Sequence, residues 1–142
     1  METKRLFILL ILIISCTSIR TQATIQQQND NKYVVGSWIR TDTDEGKTTA
    51  IWTFKFHLDG TTDFEQATGF GENGKPMMNY TYKGTYYYNH LKKEFIIYLD
   101  GDKEMATKFT VTAYTPNAIK LLYINENGEK EYHVLNRIKA NK

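Results

Sequence analysis

The sequence is poor in cysteine, in proline and in helical periodicity. It holds one cysteine and two prolines among 142 residues. The lone Cys16 can form no internal disulfide, so a folded domain must be stabilised by its hydrophobic core. From Tyr33 onward, short runs alternate apolar with polar residues. Such runs are typical of β-strands and argue against a helical bundle.

Residue patterns that carry catalysis are also missing. There is no Gly-x-Ser-x-Gly elbow and no phosphate-binding loop. His57, His90 and His133 are too far apart in sequence for a local metal site, so we expect them at surface or turn positions. Asp100-Gly101-Asp102 is expected to be a hairpin turn, because the downstream glutamate of a calcium loop is absent. We therefore expect a protein that is not an enzyme and has no metal or other cofactor.

Neither positive nor negative charge is in large excess. The formal net charge is +2, with 18 basic and 16 acidic residues interspersed along the chain. A nucleic-acid-binding surface would require a basic patch or stripe. We therefore expect no nucleic-acid partner.

The longest apolar run is too short to cross a membrane. It covers residues 6–14, after Lys4 and Arg5, whereas a spanning helix needs ~20 apolar residues. The run indicates a cleaved signal peptide. Its end, Ile13-Ile14-Ser15-Cys16, resembles the bacterial lipobox, in which the cysteine is acylated and becomes the mature N-terminus. Ordinary cleavage after Ala23 is the alternative.

The lipobox resemblance implies an address for the protein. Residues 1–15 would be the signal peptide, and Cys16 would carry the lipid. Thr17 is not the aspartate of an inner-membrane retention signal, which favours anchoring to the bacterial outer membrane, on its periplasmic or surface face. The polar residues 26–31 lack an apolar stripe, which disfavours an amphipathic helix. We expect residues 16–32 to form the lipidated cysteine and a flexible tether, and residues 33–142 to form one domain.

Eight strands are expected in this domain. They are Val34 to Thr41, Thr49 to Leu58, Thr61 to Ala67, Met77 to Tyr88, Glu94 to Leu99, Lys103 to Ala113, Ala118 to Asn125 and Glu129 to Ile138. Turn residues separate several of them, including Asp59-Gly60, Thr115-Pro116-Asn117 and Asn127-Gly128. Short connections of this kind predict antiparallel neighbours in sequence order.

The strands are apolar on one face. Trp52, Phe54 and Phe56 alternate with polar residues on one strand, as Tyr82, Gly84 and others do on the fourth. One-sided strands leave exposed edges unless the sheet closes. We predict an all-β, eight-stranded antiparallel up-and-down barrel with a bend at Gly84. An immunoglobulin-like sandwich is the competitor, but it requires longer connections.

Motifs at the two ends of the domain are similar to those of lipocalins. Gly36-Ser37-Trp38 on the first strand and Asn136-Arg137-Ile138 on the last resemble the motifs that close the base of a lipocalin barrel. The resemblance implies that Arg137 packs across Trp38 and that Gly36, Trp38 and Arg137 close the barrel. Only four residues follow Ile138, so the C-terminal helix of larger lipocalins is missing, and the chain resembles the small bacterial forms.

A barrel of eight strands is just wide enough to be filled by side chains or to hold one small ligand. We expect a membrane-anchored binding protein that takes a small hydrophobic or amphipathic molecule. The expected lining is Trp52, Phe54, Tyr80, Tyr82, Tyr86, Phe109 and Tyr123. The alternative is a filled core in a module that binds glycan or protein by its surface, for example with Tyr87 or as a periplasmic inhibitor.

Overall fold

Eight antiparallel strands close into a barrel in a computed structural model of the protein, which describes Gln22, residues 25–99 and residues 106–139. The strands are β1 (Gly36–Asp44), β2 (Lys47–Phe56), β3 (Thr61–Phe70), β4 (Pro76–Asn89), β5 (Glu94–Leu99), β6 (Ala106–Thr115), β7 (Ala118–Ile124) and β8 (Lys130–Arg137). Each strand pairs with the next in sequence, and β8 returns to β1. The predicted up-and-down barrel is confirmed, and the sandwich is wrong.

The hairpin turns use residues that tolerate left-handed backbone. Gly60 and Gly128 have φ of 89° and 79° in the β2–β3 and β7–β8 turns, as their sequence neighbours Asp59 and Asn127 predicted. The β1–β2 turn, which the sequence analysis did not identify, bends through Glu45 and Gly46, with φ of 46° and 78°. The signal peptide, Cys16 and the Asp100-Gly101-Asp102 turn lie outside the described residues.

Strands β4 and β5 approach each other closely at Gly84, in the long strand β4. A methyl group at this position would collide with the backbone carbonyl oxygen of Tyr98 on β5. Only glycine permits this close approach of two strands. The finding gives Gly84 a steric role in the pairing of β4 with β5.

A helical segment over residues 25–31 covers one end of the barrel. Gln27 Nε2 donates to the carbonyl oxygen of Tyr88 at 3.2 Å, and Asn31 Nδ2 donates to that of Leu58 at 3.0 Å. Asn31 is 1% exposed. The prediction that the tether extends to residue 32 is therefore wrong, because side-chain amides dock this segment on the barrel without an apolar stripe.

The same end is closed by a dense core. The side chains buried there almost completely are Val34, Trp38, Phe56, Tyr88, Phe95, Ile119 and Leu135. Trp38 Nε1 donates to the carbonyl oxygen of Val34 at 2.7 Å, so the indole is satisfied as well as buried. We call this the closed end. Among the described residues, no helix is long and apolar enough to cross a membrane.

Candidate ligand site at the open end of the barrel

The inward side chains at the opposite end are only half-buried. Six of them lie two or four positions from a buried residue on the same face of their strand: Arg40, Trp52, Tyr82, Phe109, Tyr123 and His133. Because strand side chains alternate between two faces, these residues point into the barrel. We call the ring formed by these six residues and Asp42 the cup.

The polar part of the cup lies on β1 and β2. Arg40 Nε and Nη2 donate to the two carboxylate oxygens of Asp42 at 2.7 and 2.8 Å. Trp52 Nε1 donates to Asp42 Oδ2 at 3.0 Å, and the Arg40 guanidinium lies 5.8 Å from the Trp52 ring centroid. The bidentate ion pair therefore fixes the edge of the indole.

The ion pair stands where the barrel seam opens. Pairing between β1 and β8 is limited to Trp38↔Arg137 and Ile39↔Asn136. Beyond these pairs, Arg40 and Asp42 continue on the inner face of β1, opposite His133 on β8. Three polar side chains therefore point into the barrel where the β1–β8 ladder has ended.

His133 forms the polar side of the opposite wall. Its side chain is 12% exposed, its ring packs edge-on against Phe109 at 6.0 Å, and the Phe109 ring lies 5.9 Å from that of Tyr123 on the intervening strand β7. Burial lowers the pKa of His133 from its usual value, and the charge of Arg40 lowers it further. The prediction of a surface or turn position is wrong for His133, because the alternation from buried Leu135 turns it inward.

The other two histidines do lie at turns. His57 Nε2 is 2.8 Å from Asp63 Oδ2 beside the β2–β3 turn. His90 stacks on Tyr33 at 3.9 Å, after β4. Both lie at the closed end, away from the cup.

Aromatic rings line the wall formed by β2, β3 and β4. Trp52 and Phe54 are nearly parallel, at 9° and 6.5 Å, and Phe64 stacks on Tyr82 at 4.7 Å. Phe54 and Phe64 are buried, whereas Trp52 and Tyr82 are half-buried. Trp52 and Tyr82 thus belong to the cup, and the buried rings of Phe54 and Phe64 pack beside them.

The structure brings together only part of the predicted lining. Trp52, Tyr82, Phe109 and Tyr123 belong to the cup. Phe54 and Tyr86 are buried beneath it, and the Tyr86 hydroxyl is engaged with the carbonyl oxygen of His57. Tyr80 is 42% exposed on the part of β4 that extends beyond β5. Four of the seven predicted lining residues thus lie in the cup, Phe54 and Tyr86 lie in the core, and Tyr80 is exposed; a ligand-binding role for them stays a prediction.

Arg40, Asp42 and His133 were not among the predicted site residues. A signal was present, because these residues keep the period of two that starts at Trp38 on β1 and at Leu135 on β8. Charged and polar residues at such positions read as outward-facing when the pattern is judged by polarity alone.

Two depressions lie outside the cup. One, of about 590 Å³, is lined by Lys47, Ile51, Phe70 and Glu72 beside the β3–β4 turn. The other, of about 140 Å³, is lined by His90, Lys93 and Tyr114 near the closed end. Neither is enclosed by the inward faces of the strands.

Comparison with known proteins identifies no family for this chain. No known protein family and no curated protein matches the sequence. One similar solved structure is a redesigned β-barrel, with 19% identity and a TM-score of 0.46, over 78% of this chain and 96% of that one. Another is a de novo designed fluorescence-activating β-barrel, with 10% identity and a TM-score of 0.41, over 76% of this chain and 96% of that one.

Proposed function

We propose that this protein is a lipocalin-like binding protein, not an enzyme, that holds one small hydrophobic or amphipathic molecule in the cup. The observation that carries the proposal is a ring of half-buried inward side chains above a filled core. Sites for small molecules are concave and mostly apolar, with a few well-placed polar groups. The cup has this composition, with four aromatic residues and the polar residues Arg40, Asp42 and His133.

The closed end supports the lipocalin-like assignment. The Arg137 guanidinium lies 4.1 Å from the centroid of the Trp38 ring. Gly36 has φ of 123°, and a methyl group there would lie 2.6 Å from Arg137 Nη1. Arg137 therefore lies against both Trp38 and Gly36, the two other residues that the resemblance assigns to closure of the barrel base, and the positive φ at position 36 favours glycine.

A titration with Nile red, an uncharged planar dye, tests binding in the cup. We expect saturable one-to-one binding to the protein and about a tenfold loss of affinity in Trp52→Leu, which removes an aromatic wall. Tyr132→Ser, which changes an exposed outer residue, is the matched control. Equal affinity of the two variants would place the dye outside the cup and contradict the proposal.

We also propose that the protein is anchored to the bacterial outer membrane by lipid on Cys16. Two or more acyl chains would hold it stably on the bilayer. Eight residues separate Cys16 from the helical segment over residues 25–31, which gives a reach of at most ~28 Å. Because that segment covers the closed end, the anchor would place this end toward the membrane and the cup away from it.

Substitution of Cys16→Ala tests the anchor. We expect the precursor to remain unprocessed and to incorporate no labelled palmitate, whereas Ser18→Ala should mature normally. Normal processing of Cys16→Ala would contradict lipidation and favour ordinary cleavage after Ala23.

An outer patch supports a second candidate, a surface interaction module. Tyr132 is 68% exposed on β8, and Val134 and Ile124 are also exposed on the outer face of β7 and β8. Loss of partner capture in Tyr132→Ser, with Nile red binding intact, would favour this candidate. Tyr87 is a weaker choice for such a surface, because it is half-buried and its hydroxyl accepts from Asn89 Nδ2 at 3.1 Å.

A further inference from the structure

We propose that the cup takes a compact, uncharged, planar molecule with a hydrogen-bonding group, and not a long acyl chain. This inference rests on the proposed function and names the ligand class for the same site. It follows from three features of the cup: its depth, its charge and the arrangement of its rings.

The cup is shallow because its floor is filled. Phe54, Phe64, Tyr86 and Leu121 are buried on the same inner face as the cup, and Phe64 and Leu121 are paired directly with Tyr82 and His133. On β2 the floor residue Phe54 is only two positions from Trp52, which is ~7 Å along a strand. An acyl chain running down the barrel axis would meet these packed rings, which favours a compact ligand.

The charges in the cup are already matched. Asp42 accepts two hydrogen bonds from Arg40 and one from Trp52. A charged ligand would have to lose its water beside this satisfied pair, which is unfavourable without a new partner of opposite sign. Glu131, at the rim beside His133, is half-exposed, so water screens its charge; it repels an anion and attracts a cation only weakly. The site therefore favours an uncharged guest.

The rings and His133 define the shape and polarity of that guest. Trp52 presents an indole held by Asp42, and Phe109 with Tyr123 forms the facing wall. A flat ring can stack on such surfaces. His133 Nε2 is 3.6 Å from Glu131 Oε2, too long for a hydrogen bond. Among the described residues, no side chain makes a hydrogen bond to His133, which leaves its imidazole for the ligand.

The two tryptophans provide an internal control for the experiment. The sequence contains only Trp38 and Trp52; the first lies in the closed end and the second in the cup. In ¹H–¹⁵N spectra of the full chain, we follow both indole N–H signals during titration with 2-naphthol, 2-naphthoate or dodecanoate. We expect 2-naphthol to shift the Trp52 signal saturably and to leave Trp38 unchanged. We expect 2-naphthoate to bind at least about tenfold more weakly, and dodecanoate to leave Trp52 unchanged.

Two variants test separately the hydrogen-bonding role of His133 and the effect of the filled floor. His133→Phe should weaken 2-naphthol about tenfold while leaving naphthalene, which has no hydrogen-bonding group, within about twofold. Phe54→Ala opens the floor, so dodecan-1-ol, an uncharged chain that the filled floor excludes from the wild-type cup, should now shift Trp52. Leu91→Ala, at an exposed turn, is the control for both.

Two outcomes would overturn the inference. If dodecanoate or 2-naphthoate shifts Trp52 at lower concentration than 2-naphthol does, the ligand class is wrong while binding in the cup stands. If none of the three probes shifts Trp52, the inference also fails. The proposed function is then decided by the Nile red titration, which does not depend on these probes.

Discussion

The guanidinium of Arg137, on the last strand of the barrel, lies 4.1 Å above the indole of Trp38 on the first strand. Its Nε, Nη1 and Nη2 donate to the carbonyl oxygens of Pro116, Val35 and Tyr33. One side chain thus connects the β6–β7 turn with the residues before β1, over a fully buried ring. The closed end is stabilised by this arrangement, and the cup depends on it only indirectly.

Substitution of Trp38→Ala should destabilise the fold strongly. The side chain is completely buried, so its loss leaves a large cavity beneath Arg137 and should cost about 3–5 kcal/mol of the free energy of unfolding. Urea denaturation measures the change. Trp52→Ala is the matched control and should cost less, because Trp52 is half-buried. An equal or smaller loss for Trp38→Ala would contradict the role of Trp38 in closure.

Substitution of Asn31→Ala should release the helical segment from the barrel. The mutation leaves the carbonyl oxygen of Leu58 without its donor and should cost about 1–3 kcal/mol. Asn29→Ala, an exposed change in the same segment, should be nearly neutral. Hydrogen exchange of residues 25–31 gives a second measure, and unchanged protection in Asn31→Ala would count against docking by the amide.

Substitution of Gly84→Ala should force β4 and β5 apart. The new methyl group would meet the backbone of Tyr98, which cannot move as a side chain can, and we expect a loss of about 1–3 kcal/mol. Gly71→Ala has room, since its nearest contact would be Asn73 Oδ1 at 3.4 Å. Calorimetric melting of the two variants compares them directly; similar midpoints would show that the strands tolerate the methyl group.

Because of His133, the free energy of unfolding should decrease at mildly acidic pH. Burial holds its pKa below the ordinary value of 6.5, so the unfolded chain takes up a proton before the folded protein does. The free energy of unfolding should therefore decrease as the pH falls below about 6.5, and this decrease should end below the folded pKa. Above that range His133 is neutral in both states and contributes no slope.

Denaturation of His133→Gln across the same pH range isolates this effect. The variant should lose the slope that His133 produces. Asp63 acts in a lower range, because its hydrogen bond with His57 holds the pKa of the carboxyl below 3.8. A slope that persists unchanged in His133→Gln would assign the effect to another group.

The strand pattern was predictable because alternation and turn chemistry are local. The eight strands lie within a few residues of their expected bounds, and β5 has the expected ones. The helical segment was not predictable by periodicity, since Gln27 and Asn31 dock it through hydrogen bonds rather than through apolar contacts.

The depth of each inward residue was not predictable either. Tyr82 and Tyr86 share one face of β4, but only Tyr86 is paired with β5, opposite Ile97, and buried in the core. Which of the two lies in the cup is fixed by strand pairing, a property of the whole sheet. The Arg40–Asp42 pair escaped notice for a related reason: its partner Trp52 comes from the next strand.

Native mass spectrometry of the protein purified from a bacterial host tests the central claim most directly. We predict a one-to-one complex with a small molecule, either carried through purification or formed on incubation with Nile red or 2-naphthol. The complex should be lost in Trp52→Leu and kept in Tyr132→Ser. A bare mass for the wild-type protein, both as purified and after incubation with Nile red and 2-naphthol, would contradict ligand binding in the cup.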